Sequence, residues 1–134
     1  MACMLSARGK RFDVDGFLRG SSLVPHKLWK KGEAVSESGP RTGNLQQYSG
    51  FNLVVSEHGR DALGEQQRDA ERFLRKYQAE LKRLRAATGL EDLWLEFGVL
   101  WREDVAIHTD CVSPGVVEAA GLVPLSLSIS HYRV

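Results

Sequence analysis

His108, Asp110 and Cys111 fall within four consecutive residues, His-Thr-Asp-Cys. Imidazole, carboxylate and thiolate all ligate transition metals, and His131 could join them if the fold brought it near. Alternatively, Cys111 could act as a nucleophile, which requires a lowered pKa and an adjacent base. The structural reading of the same stretch is a loop leading into a helix cap at Ser113, with a partly buried thiol. Nothing elsewhere in the chain supports the chemical readings. The other histidines, His26 and His58, stand apart, and no HExxH, HxxxH or paired Cys/His spacing occurs. The expectation is therefore no catalytic residue, no metal and no cofactor.

Other chemistries lack their signatures. There is no GxxxxGK[ST] or GxGxxG phosphate cradle and no GxSxG elbow. Gly-Pro-Arg-Thr-Gly-Asn (39–44) could nest an anion, but it does not open a helix after a strand and reads as a loop. The carboxylate pairs Asp13/Asp15, Glu65/Asp69 and Glu103/Asp104 lie where caps and solvated faces use them.

The overall charge excludes more. Eighteen Lys and Arg stand against 17 Asp and Glu in 134 residues, a formal net charge of +1. A dedicated nucleic-acid binder is strongly basic. Lys27, Lys30 and Lys31 surround Trp29, and Arg68, Arg72, Arg75 and Lys76 follow along one helix. The same helix carries Glu65, Asp69, Glu71 and Glu80, so its outer face is mixed and a nucleic-acid partner is disfavoured. Two cysteines, Cys3 and Cys111, make no disulfide framework and read as small buried hydrophobes in a reducing compartment. No apolar run reaches the ~18 residues that span a bilayer. The first residues show neither a basic leader nor a long apolar stretch, so a cytoplasmic location without membrane association is expected.

The length suits one domain. Residues 2–8 read as a strand. Asp13 or Asp15 caps a short helix carrying Phe17 and Leu18, bracketed by Gly20 and Pro25. Residues 26–44 read as a long polar loop with a short extended piece near Leu28 and Trp29. Residues 48–57 form the next strand. Ala70, Phe73, Leu74, Tyr77, Leu81 and Leu84 recur at three and four, predicting one long amphipathic helix over 64–89, ended by Gly89 in the left-handed conformation. In the strand 92–102, Leu93, Leu95, Phe97, Val99 and Trp101 share a face. Ser113 and Pro114 open a brief helix that ends in Gly121. "GLVP" (121–124) echoes "SSLVP" (21–25), suggesting two similar strand–helix–strand halves.

The final stretch, "LSLSISHY" (125–132), puts Leu125, Leu127, Ile129 and His131 on one side and Ser126, Ser128, Ser130 and Tyr132 on the other. A parallel sheet buried on both faces would be apolar throughout. The pattern predicts an α/β (α+β) two-layer sandwich: a mixed or antiparallel sheet of about four strands, with one long and two short helices on one face. The second face would show Asn52, Ser56, Trp94, Glu96, Ser126, Ser128, Ser130 and Tyr132. A solvated sheet surface is the ordinary explanation. A docking platform is the sharper one, because Trp and Tyr anchor interfaces and small serines permit close approach.

The order of elements resembles a bacterial family of small α/β proteins known only as a domain of unknown function. The features that carry the resemblance are Pro25 with Lys31-Gly32-Glu33, the strand opening Ser49-Gly50-Phe51, and the helix–Gly–strand ending from Ser113 to Tyr132. The family has Trp where this chain has Phe51, and Gly where it has Val24. The resemblance spans almost the whole chain and implies a compact α/β fold with no known active site. Small members of such families often look like immunity proteins, which bind and block a toxin encoded next door. The expected function is thus a non-enzymatic protein-binding module, an immunity protein in its most concrete form. Its expected partner-binding residues are Trp29, Lys30, Lys31, Glu33, Trp94, Glu96, Ser126, Ser128, Ser130 and Tyr132, with exposed aromatics anchoring and charged residues steering. The alternatives are a small enzyme or ligand sensor built on His108 and Cys111, and a weak RNA-binding module.

Overall fold

Alternating apolar and small or polar residues give pleated strands with one wet face, and helices with an apolar stripe cover the dry one. The computed structural model describes residues 2–35 and 44–133. In chain order the elements are β1 (Cys3–Gly9), α1 (Val14–Arg19), β2 (Lys27–Trp29), β3 (Ser49–Ser56), α2 (Leu63–Lys76), α3 (Gln78–Arg85), β4 (Asp92–Leu100), α4 (Pro114–Leu122) and β5 (Ser126–Tyr132). The strands form one mixed sheet of order β2-β3-β1-β4-β5. All neighbours are antiparallel except β4 and β5, which run parallel through the α4 crossover. The expected α+β sandwich is present, with β2 as a fifth strand.

The core lies on one face of this sheet. Cys3, Leu5 and Ala7 of β1, Phe51 and Leu53 of β3, and Leu93, Leu95 and Phe97 of β4 are buried with side chains from all four helices, and Leu127 and Ile129 of β5 pack against them. Registered pairs confirm the shared face: Leu5 lies between Leu53 and Leu95, and Leu95 faces Leu127. Among the described residues, no side chain of the opposite face enters this cluster.

The predicted long helix is two helices. Tyr77 leaves helical geometry (φ −104°, ψ 19°), ending α2 and opening α3. No Gly or Pro marks the site; the reason is tertiary. α2 packs on α4, β3 and β4. α3 instead meets the end of α1, where Ser21, Ser22 and the Ser22 backbone N–H all donate to Glu80, and Arg83 donates to the Gly20 carbonyl at 2.9 Å. Ala70, Leu74, Leu81 and Leu84 of the predicted stripe are fully buried, while Phe73 and Tyr77 pack at its edge.

Other expectations shift locally. α3 ends at Arg85, and Gly89 takes its positive φ (+84°) later, in the turn into β4, where an added Cβ would lie 2.2 Å from the Arg11 carbonyl oxygen. Gly121 lies inside α4. Ser56 belongs to the helix side: a register irregularity at Cys3/Met4 resets the alternation, and its buried hydroxyl donates to Asp69 at 2.7 Å. The two "LVP" segments do not mark equivalent halves, because β5 pairs directly with β4 whereas β3 lies between β1 and β2.

Candidate functional sites

The open face is a grid set by register. One row runs Lys27, Asn52, Ser6, Trp94, Ser126, and the next brings Val54, Met4, Glu96 and Ser128 together. Ser130 stands beside Gly98, and Tyr132 beside Leu100. Ser126 and Tyr132 are exposed, and Trp94, Glu96, Ser128 and Ser130 are half-buried. Among the described residues, no second layer covers the predicted serine face. Trp94, Ser126 and Ser128 line a groove of about 580 Å³ with Arg8, Arg85, Glu91, Asp92 and Pro124.

Arg8 organises this groove. Its guanidinium lies 4.4 Å from the Tyr48 ring centre and 5.3 Å from that of Trp94, and it bonds the Asp92 carboxylate at 2.8 Å. These contacts place a cation against two aromatic faces. Sequence reasoning passed over Met4, Ser6, Arg8, Tyr48 and Val54. The alternation of "CMLSARG" contained the signal for the β1 residues.

The β2 end of the predicted site is only partly continuous with this face. Trp29 aligns with Gly50 and is half-buried. Lys30 turns instead to Asp15 of α1, whose carboxylate raises the Lys30 pKa by hydrogen bonding and charge. Its steering role is correspondingly reduced, a pairing that residues fifteen apart gave no means to foresee. Lys31 and Glu33 are exposed and shape the following turn: the Lys31 N–H donates to the Ser49 hydroxyl at 2.9 Å, and the Glu33 N–H to the Lys30 carbonyl at 3.0 Å.

The second site lies at the other end of the β4–α4–β5 unit. In such units the loop after the first strand and the tip of the second meet beyond their C-terminal ends, a common place for ligands. Here the 101–113 connection and His131 meet there, beside a cleft of about 1030 Å³. Asp110 Oδ2 is 2.7 Å from His131 Nε2, and Oδ1 is 3.3 Å from His108 Nε2. Trp101, expected to continue the strand face of Leu93, Leu95 and Phe97, is outside β4 and 45% exposed, with its ring and that of His131 edge to face. Cys111, expected to be buried, is exposed and stands outside the His108–Asp110–His131 group. The grouping joins residues 21 apart, so spacing alone could only suggest it.

The basic helix is not a free cationic stripe. Arg68, Arg72 and Arg75 pair with Glu65, Asp69 and Glu71 one turn away. Asn44 apart, the 39–44 loop lies outside the described residues. No helix among the described residues is long and apolar enough to cross a membrane. No family model, curated protein or solved structure matches the chain.

Proposed function

We propose that this chain is a protein-binding module that docks its partner on the open face of the sheet. The observation that carries this reading is the uncovered five-stranded face, with small serines bordered by Trp94, Tyr132 and the Arg8–Tyr48 pair. Trp94 is the anchor, since a flat aromatic buries a large area at low entropic cost. Ser126 and Ser128 let a partner backbone approach. Glu96 supplies charge at the centre of the face, and Lys31 and Glu33 supply it at the β2 rim.

Size constrains the partner. Four strands of seven to nine residues, each ~4.8 Å wide, offer a face of roughly 20 Å by 25 Å, or about 500 Å², to which the three-residue β2 adds a short edge. A standard interface covers about 800 Å² per partner. The partner therefore also engages a rim, and the Trp29 turn is the adjoining one. The concrete version, supported by the sequence resemblance to immunity-like chains, is a toxin whose active surface is blocked sterically.

The test uses the protein as a bait that captures a partner identified by mass spectrometry, ideally the product of a neighbouring gene. Ser128→Arg and Trp94→Ala weaken that complex at least tenfold, whereas Arg72→Ala on α2 leaves it intact. Stoichiometric loss of the partner's toxicity supports the toxin version. Equal binding by wild type and both face variants overturns the docking surface.

A further inference from the structure

We infer that His108, Asp110 and His131 bind one divalent transition-metal ion at the cleft beyond the ends of β4 and β5. This inference does not rest on the docking face, although the two adjoin where Arg60 of the cleft stacks on Tyr132. One ligand atom from each residue falls within 4.8 Å of the others. The Zn–N and Zn–O distances of a tetrahedral site place ligand atoms about 3.4 Å apart. The 3.3 Å contact of Asp110 Oδ1 with His108 nearly equals that value, and the 2.7 Å contact of Oδ2 with His131 is shorter. Both imidazoles turn Nε2 to the one carboxylate, and a cation can sit at that junction.

Burial and charge point the same way. The three side chains are 15–33% exposed, sheltered enough to lower the competition from water without closing the site. Across the cleft lining, Asp61, Glu103, Asp104 and Asp110 outnumber the three guanidiniums of Arg60, Arg102 and Arg133. The excess negative charge is that of Asp110 itself, since Asp61, Glu103 and Asp104 balance the three arginines. The donor set decides which cation: two nitrogens and one oxygen suit Zn²⁺ and its first-row neighbours, whereas Ca²⁺ and Mg²⁺ prefer all-oxygen sites. Three protein ligands on one side leave a coordination position toward the cleft, where water or an anion flanked by the arginines completes the site. Because His108 and Asp110 come from the loop and His131 from β5, the ion also fastens that loop to the sheet.

The experiment uses tag-free protein stripped with a chelator, titrated with Zn²⁺ by calorimetry and with Co²⁺ by absorption. The expected result is one ion per chain, a melting temperature that rises with Zn²⁺, and Co²⁺ bands of a nitrogen–oxygen site without a thiolate charge-transfer band. His131→Ala and Asp110→Asn each weaken binding by roughly tenfold or more. Cys111→Ser and His26→Ala bind like wild type. Asp110→Asn preserves side-chain shape, so its unchanged circular dichroism separates lost ligation from lost folding. Absence of saturable Zn²⁺ binding at millimolar concentration overturns the site and leaves the cluster as a hydrogen-bonded clasp. Wild-type affinity in Asp110→Asn, or a thiolate band showing Cys111 as a ligand, overturns the assigned ligand set.

Discussion

At the scale of single residues, chemistry follows local surroundings more than residue type. The two cysteines show this. Cys3 lies in the core, where burial first, and then the charges of Asp69 and Glu96, push its pKa up to about 12, so it has no thiolate at neutral pH. Cys111 is exposed. Glu80 is the opposite case: the Ser21 and Ser22 hydroxyls hold its carboxylate, lowering the pKa from 4.5 to about 2. A group with a depressed folded pKa stabilises the fold above its unfolded value. That contribution is complete above about pH 4.5 and disappears as the pH falls toward about 2. Glu80→Gln therefore melts a few degrees lower than wild type at pH 7. The gap narrows across that acidic window, as thermal scans by circular dichroism at successive pH values will show. Neither serine nor glutamate advertised this contact, because 58 residues separate Ser22 from Glu80.

Elements are held together by a few polar contacts that periodicity does not predict. Gln66 sits on the apolar stripe of α2, fully buried. Its amide donates to the Gly59 carbonyl at 2.8 Å and the Gly98 carbonyl at 2.9 Å, tying α2 to its own leading loop and to β4. Gln66→Leu keeps the volume near constant and takes the amide donor from both carbonyls, but the Gly59 oxygen keeps the Ala62 N–H at 3.1 Å and the unpartnered Gln66 Oε1 is removed as well. The loss therefore falls chiefly on the Gly98 carbonyl, and denaturant unfolding is expected to show a cost of about 1–2 kcal/mol. The break at Tyr77 belongs to this scale as well. The three- and four-residue spacing identified the apolar stripe of both helices, and the Glu80 and Arg83 contacts with the α1 end redirected the second.

The whole molecule divides into a shielded and an unshielded side of one sheet, and the two should respond differently to substitution. Leu5, fully buried on the central strand, touches neighbours on both flanking strands and the helix layer. Leu5→Ala is expected to cost about 2–5 kcal/mol, the range for a leucine truncated in a packed core. Ser128→Arg, on the other face, should stay within about 0.5 kcal/mol of wild type, as surface substitutions do. Urea unfolding of the two variants measures the contrast directly. A comparable loss in both would mean that the serine face is covered.

The sequence by itself determined the side of each strand that faces the helices in β4 and β5. A period of two or of 3.6 is a local property, and burial of one face is its direct physical consequence. The same patterning identified Trp94, Ser126, Ser128 and Tyr132 as members of an outward face, and the sequence offered Asp13 or Asp15 as a cap, of which the fold uses Asp13. Strand order, the added β2 strand, the bend at Tyr77 and the inward turn of Ser56 came from tertiary structure. So did the meeting of His108 and Asp110 with His131. These depend on contacts between residues distant along the chain, and no local period encodes which distant groups will find each other.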